Sequence, residues 1–130
     1  MLTPSETYRP PASREDLERR YAAGERRFPG TDLSSVDLSG IKLDGANFEQ
    51  HSWFSDANFS GASLRSTSFR ECNLKCANFS NADLTDANFE LAAIESIKAS
   101  GASLVGVKVK GATFYGGELN DGDELPSWEW

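Results

Sequence analysis

Few residues in this sequence could carry out chemistry, and their spacing does not favour a catalytic or metal site. His51 is the only histidine, and Cys72 and Cys76 are the only cysteines. The gap of three residues between the two cysteines differs from the CxxC spacing of redox and zinc motifs. The sequence supplies neither a nucleophile beside a base nor a phosphate-binding loop. We therefore predict no catalytic residues, no metal, no cofactor and no enzymatic activity.

The backbone that must position these residues is indicated by apolar residues that recur with a period of five. Large apolar residues recur at every fifth position, with one extra residue between Phe48 and Phe54, and nineteen such centres run from Phe28 to Leu119. A period of five fits neither the 3.6 residues of a helical turn nor the alternation of a strand. Short extended segments joined by regular corners would produce it.

The residues around each centre indicate how the chain turns. A small residue, most often alanine, stands two positions before the centre, and in an extended segment both point to the same side. The polar residue between them then faces water. The remaining two residues are rich in Gly, Ser, Asp and Asn, which are typical of turns. The pattern predicts a chain wound around a filled apolar interior, without space for a substrate.

The number of units in one coil follows from which centres repeat. Centres four units apart are identical in 7 of 15 pairs, whereas centres three units apart are identical in 2 of 16. Centres two units apart also match, in 7 of 17 pairs, but a two-sided coil would have almost no interior. We therefore predict four-sided coils. The predicted ladders are Phe28, Phe48, Phe69 and Phe89; Leu43, Leu64, Leu84 and Leu104; Phe54, Leu74, Ile94 and Phe114; and Phe59 with Phe79.

Several runs resemble the A(D/N)LXX signature of the pentapeptide-repeat family. They are DANFS at 56–60, CANFS at 76–80 and NADLTDANF at 81–89. The resemblance covers residues 28–120, and the lead-in at 13–27 is similar to that of bacterial, often cyanobacterial, members. It implies an all-β fold, a right-handed quadrilateral β-helix, with a short N-terminal capping α-helix. The handedness comes from the resemblance alone.

The chain divides into four predicted segments. They are a flexible N-terminal segment at 1–12, a capping helix and lead-in at 13–27, a β-helix of about 19 repeats at 28–120, and an acidic C-terminal tail or cap at 121–130. Ser13 with Asp16 suggests a capping box, and Gly24 suggests the end of the helix. Leu17 and Tyr21, four residues apart, would cover the open first coil.

The net charge of −7 argues against direct binding to nucleic acid or to an anionic membrane. No stretch approaches the length of a membrane span, and the N-terminus lacks the features of a signal peptide. We expect a cytoplasmic protein that does not bind nucleic acid or membrane. Its partner would be a neutral or basic protein.

Five residues are candidates for contact with a partner protein. Trp53 follows the inserted residue at a position that should point outward. His51 lies beside the same insertion and is either a solvated corner residue or part of a binding site. Cys72 is predicted to point inward and Cys76 outward, so we expect packing rather than a disulfide. The candidate contact residues are Trp53, His51, Tyr115, Trp128 and Trp130.

Two functions are consistent with this pattern. The first is a non-enzymatic scaffold that mediates protein–protein interaction, with an unidentified partner. The second comes from the family, some of whose members mimic duplex DNA and bind DNA gyrase or another nucleic-acid-binding protein. Residues 28–119 carry eleven acidic and seven basic residues, which is far fewer net charges than the ~13 of a duplex of that length. The C-terminal end could also form a homodimer.

Overall fold

A ladder of parallel bridges between successive turns organises the chain after its short N-terminal helix. The computed structural model describes residues 8–114 and 117–120. Its regular elements are α1 (Arg14–Ala22), β1 (Ala112–Phe114) and β2 (Gly117–Leu119). Between α1 and β1 the chain makes isolated parallel bridges in place of long strands. Each extended segment is therefore only a few residues long, as the five-residue period requires.

The spacing of the bridges sets the size of one turn. Asn78 pairs with Asn58 on one side and with Lys98 on the other, so one turn takes 20 residues, or four units. Asp32 pairs with Trp53, 21 residues away, because the turn between them contains the extra residue. This spacing agrees with the four-unit coil that the identities among centres predicted.

The bridges form four ladders, each named here after one member. The Trp53 face is Asp32, Trp53, Asn73, Ala93 and Thr113; the Lys108 face is Arg27, Asn47, Ser68, Asn88 and Lys108; the Lys98 face is Asp37, Asn58, Asn78 and Lys98; the Asp83 face is Lys42, Ser63, Asp83 and Ser103.

The corners are hydrogen-bonded turns with a left-handed residue in the third position. The Ala62 N–H donates to the Phe59 carbonyl at 3.0 Å, and Gly61 between them has φ +68°. A positive φ at this position is a feature of type II turns and favours glycine. Leu91 occupies the equivalent position with φ +59°, which is unfavourable for a bulky side chain. The corner geometry thus explains the recurring glycines, and Leu91 is the branched apolar residue among the non-glycine residues that adopt it.

The outward asparagines and aspartates hold the following turn. Asn78 Oδ1 accepts a hydrogen bond from the Ser80 N–H at 2.9 Å, so the side chain satisfies a backbone donor in the turn. Sequence analysis placed these residues in water but did not assign them this role. The residues that accept in this way are Asp32, Asp37, Asn47, Asn58, Asn73, Asn78, Asp83 and Asn88.

The centres stack along the axis as continuous ladders of similar side chains. The rings of Phe48 and Phe69 lie 5.7 Å apart, and those of Phe59 and Phe79 lie 5.1 Å apart and almost parallel. The predicted ladder residues are buried, except that Leu104 and Phe114 near the C-terminal end are only partly buried. These side chains fill the interior of the coils.

Helix α1 covers the first coil. The Ser13 Oγ accepts from the Asp16 N–H at 3.1 Å, as predicted, although the Asp16 carboxylate accepts from Ala12 and not from Ser13. Leu17 is fully buried in the core. The Tyr21 hydroxyl donates to the Asp44 carbonyl at 2.7 Å, which ties the helix to the edge of the first coil.

Residues 8–12, within the segment predicted to be flexible, make specific contacts. The Tyr8 hydroxyl donates to the Pro29 carbonyl at 2.9 Å, and Pro11 is buried. The Arg20 guanidinium donates to the Arg9 carbonyl at 2.7 Å and to the Glu25 carboxylate at 2.7 Å. This part of the N-terminal segment therefore packs against α1 and the first coil.

At the other end the chain reverses direction. β1 and β2 pair antiparallel, with Ala112 opposite Leu119, whereas Thr113 of β1 also pairs in parallel with Ala93 of the preceding coil. Sequence analysis expected the parallel coil to continue to residue 120 and did not anticipate this reversal. The predicted tail or cap at 121–130, and a dimer interface built on it, lie outside the described residues.

Candidate functional site

The interior of the coil is packed with side chains. Phe48, Phe59 and Phe69 have no exposed surface. Among the described residues no three His, Cys, Asp or Glu side chains come together as a metal site. One shallow surface cavity of about 260 Å³ is lined by Arg70, Glu90, Leu91 and Lys110. None of these four provides a hydroxyl or thiol nucleophile.

Trp53 stands on an outer face of the coil with half of its surface exposed. Its N–H donates to the Thr31 carbonyl at 2.7 Å, and its carbonyl accepts from the Leu33 N–H at 2.9 Å. The backbone is thus fixed in the ladder while the indole remains outside it. A large aromatic side chain on a rigid backbone loses little conformational entropy when a partner covers it.

The extra residue forms the corner immediately before Trp53. Gln50 and His51 are both left-handed, with φ +71° and +65°, and both are exposed. Two consecutive left-handed residues absorb the insertion without breaking the ladders on either side. His51 therefore lies at the edge of the Trp53 face, and its role in contact with a partner stays a prediction.

The two cysteines lie in different environments. Cys72 is buried, and its burial raises the pKa of the thiol to about 12. The thiol donates to the Phe48 carbonyl at 3.2 Å. Cys76 is an exposed corner residue with φ +63°. The predicted directions of the two side chains are correct, and the cysteines are not joined to each other.

Two exposed apolar residues were not among the candidate contacts predicted from the sequence. Leu91 is half exposed and Val105 is more exposed still. Leu91 is the corner residue two positions before Ala93, so it lies at the edge of the Trp53 face, whereas Val105 follows the Asp83 face. In the sequence, Leu91 stands at a corner position that glycine occupies in several other repeats. This position could have indicated that its side chain is exposed. Of the other candidate contacts, Tyr115, Trp128 and Trp130 lie outside the described residues.

Comparison with known families agrees with this geometry. Residues 27–50 and 54–90 match the family of pentapeptide repeats, in eight copies. Residues 27–90 belong to the pentapeptide-repeat family. No functionally curated protein matches this pentapeptide-repeat chain. No helix in its described part is long and apolar enough to cross a membrane.

Several solved pentapeptide-repeat proteins have a similar fold. Rfr23 from the cyanobacterium Cyanothece 51142 is 25% identical, with a TM-score of 0.66 over 73% of this chain and 64% of that one. HetL from Nostoc sp. strain PCC 7120, involved in heterocyst differentiation regulation, is 26% identical, with a TM-score of 0.72 over 75% of this chain and 41% of that one. A protein from the Arabidopsis thaliana thylakoid lumen is 36% identical, with a TM-score of 0.53 over 64% and 61%. The chain thus spans less than two thirds of each relative's length.

Proposed function

We propose that this pentapeptide-repeat protein is a non-enzymatic scaffold that binds another protein through the Trp53 face. The observation that carries the proposal is the half-exposed indole of Trp53 on a backbone held from both sides of the ladder. Tryptophan is enriched among the residues that contribute most to binding at protein interfaces. Covering this side chain would remove apolar surface from water at little cost in backbone order.

The filled interior supports a scaffold over an enzyme. An enzyme needs a concave site with converging polar groups, and the coils are occupied by stacked phenylalanine and leucine side chains. The outer faces are the surfaces that remain for function. We also infer that the coil is a right-handed quadrilateral β-helix, because the four ladders support four sides and the family supports the handedness.

Mimicry of duplex DNA has less support. A mimic would present negative charge along the rod, but the Lys108 face begins with Arg27 and ends with Lys108. Arg70 and Lys110 line the corner cavity beside that face, where they flank Glu90. The acidic residues are therefore interrupted on this side by cations.

A tagged pull-down from the native host tests the scaffold. We would compare the wild-type chain with Trp53→Ala and with Val105→Ala, which removes an exposed apolar side chain from a different side of the coil. We expect at least one host protein to be captured by wild type and by Val105→Ala and lost with Trp53→Ala. Equal capture by all three proteins, or no specific capture, would contradict the proposed function.

A further inference from the structure

We propose that the partner of the Trp53 face is a basic, extended protein segment. In this arrangement the segment sets an apolar side chain on Trp53 and places Lys or Arg side chains against the carboxylates around it. The inference rests on the proposed function, because it specifies the chemistry of the partner at the same surface. It is carried by the distribution of charge, by an unsatisfied carboxylate oxygen and by the shape of the face.

Three carboxylates without a cation partner lie around Trp53. Asp32 belongs to the face itself, Asp56 and Glu95 follow it at the next corner beside Lys75, and Glu71 precedes it at a corner that also carries Arg70 and Lys110. The Glu71 carboxylate is paired with Arg70 at 3.0 Å. The other three carboxylates make no salt bridge within the described structure. None of the three is therefore neutralised by a cation of the described structure.

The adjoining Lys108 face is of mixed charge. It carries Arg27 and Lys108, both exposed, and its paired residues Asn47, Ser68 and Asn88 donate hydrogen bonds to the carboxylates of Glu49 and Glu90. A basic segment would therefore be attracted more strongly to the Trp53 face, where three carboxylates have no cation partner. Such complementarity raises the association rate and fixes the orientation of the partner, and salt screens it.

Glu95 supplies a separate indication that this surface binds a cation. Its Oε1 atom is shielded from water, and no described group donates a hydrogen bond to it. A buried acceptor without a donor is unfavourable, and native structures rarely keep one. An ammonium or guanidinium from a partner that reached this oxygen would supply the missing donor. Binding a cation here would relieve an existing cost.

The shape of the face suits an extended segment. Beyond Trp53 the row continues with Asn73 and Ala93, which leave the surface low, and Leu91 provides a second exposed apolar side chain near Ala93. Trp53 and Ala93 are two ladder steps apart, or roughly 10 Å at the usual strand spacing. An extended peptide covers that distance in about three residues. We therefore expect two apolar residues about three positions apart, flanked by Lys or Arg.

Selection from a random peptide library displayed on phage tests the proposal with the full chain as bait. We expect the peptides enriched on wild type to contain Lys or Arg beside an aromatic or aliphatic residue. Synthetic versions of the enriched peptides should bind wild type about tenfold more tightly than Trp53→Ala. Their affinity should fall as the salt concentration rises.

A charge-neutral variant separates this inference from the proposed function. The triple substitution Asp32→Asn, Asp56→Asn and Glu95→Gln keeps the shapes of the side chains and should weaken binding, whereas Asp83→Asn on another face should not. The basic-segment inference is overturned if the enriched peptides are neutral or acidic, if no peptide prefers wild type over Trp53→Ala, or if the triple variant binds as well as wild type. A host protein could also be lost with Trp53→Ala in the pull-down and still be captured by the triple variant. That outcome would support the proposed scaffold and contradict the basic partner.

Discussion

Residue by residue, the five-position register decides which side chains are reactive. Cys72 and Cys76 are four positions apart, yet one is sealed in the core beside Phe48 and the other is exposed at a corner. Because the thiolate is the reactive form, burial and a pKa raised to about 12 make Cys72 inert at neutral pH.

We predict that a maleimide labels one thiol per folded chain and two after denaturation. Cys76→Ser should abolish labelling of the folded protein, whereas Cys72→Ser should leave it unchanged, as mass spectrometry would show. Labelling of Cys72 in the folded chain would mean that the coil opens or that its register is wrong.

The acid dependence of stability also arises from individual residues. Hydrogen bonds from Ser39 lower the pKa of Asp37, and hydrogen bonds from Thr85 lower the pKa of Asp83. A carboxyl group with a depressed folded-state pKa stabilises the fold above its unfolded pKa of about 4 and loses this contribution as the pH falls through the folded value.

We therefore expect the melting temperature to fall between about pH 5 and pH 2. The double variant Asp37→Asn and Asp83→Asn keeps the acceptor oxygens without the titrating charge, so its melting temperature should decline less over this range. Parallel curves for the two proteins, measured by circular dichroism, would rule out these carboxylates as the cause.

Among the elements, the repeated turn depends on a local side-chain acceptor. Asn78 lies in the middle of the Lys98 face and accepts from the Ser80 N–H, while its own backbone pairs with both neighbouring coils. Asn and Asp have the length to reach the backbone two positions on, and alanine does not. This explains why the family signature has Asn or Asp between the alanine and the centre.

We predict that Asn78→Ala lowers the free energy of unfolding by about 1 kcal/mol, the usual contribution of one such hydrogen bond. Asn78→Asp keeps the acceptor and should cost much less. Chemical denaturation of both variants measures the difference. Equal losses for Ala and Asp would show that the amide group itself, and not its acceptor oxygen, is what matters at this position.

The N-terminal helix is held by more than its apolar stripe. Leu17 fills the end of the core, but Arg20 also joins Glu25, the Arg9 carbonyl and the face of the Phe28 ring. These polar contacts link α1 to the segment before it and to the coil after it. The helix therefore closes the edge of the first coil, which would otherwise be open to pairing with another chain.

At the scale of the whole molecule, stability is distributed along ladders that run through every coil. Each coil rests on its neighbours, so one disrupted layer separates the coils on either side of it. Leu84 lies near the middle of the leucine ladder and is almost completely buried. An unpaired carboxylate there would have neither a cation nor water.

We predict that Leu84→Asp costs more than about 4 kcal/mol and unfolds the domain at neutral pH. Leu84→Ile conserves volume and should cost less than about 1.5 kcal/mol. Thermal melts of the two variants provide the comparison. A cooperative melt of Leu84→Asp at the wild-type temperature would be incompatible with the buried ladder.

The sequence by itself determined the period, the four-unit coil, the inward ladders and the outward position of Trp53. It could do so because a strictly repeated local geometry turns spacing along the chain directly into direction in space. The C-x3-C spacing likewise sufficed to place the two thiols on opposite sides of the wall.

Only the tertiary structure decided the features that depend on neighbouring coils or on departures from the repeat. The reversal of β2 along β1, the left-handed pair at Gln50 and His51, and the unsatisfied oxygen of Glu95 are examples. The charge around the Trp53 face is another, because its residues are about 20 positions apart and become neighbours only when the coils stack. A repeat specifies its own geometry locally, whereas a binding surface is assembled from several repeats at once.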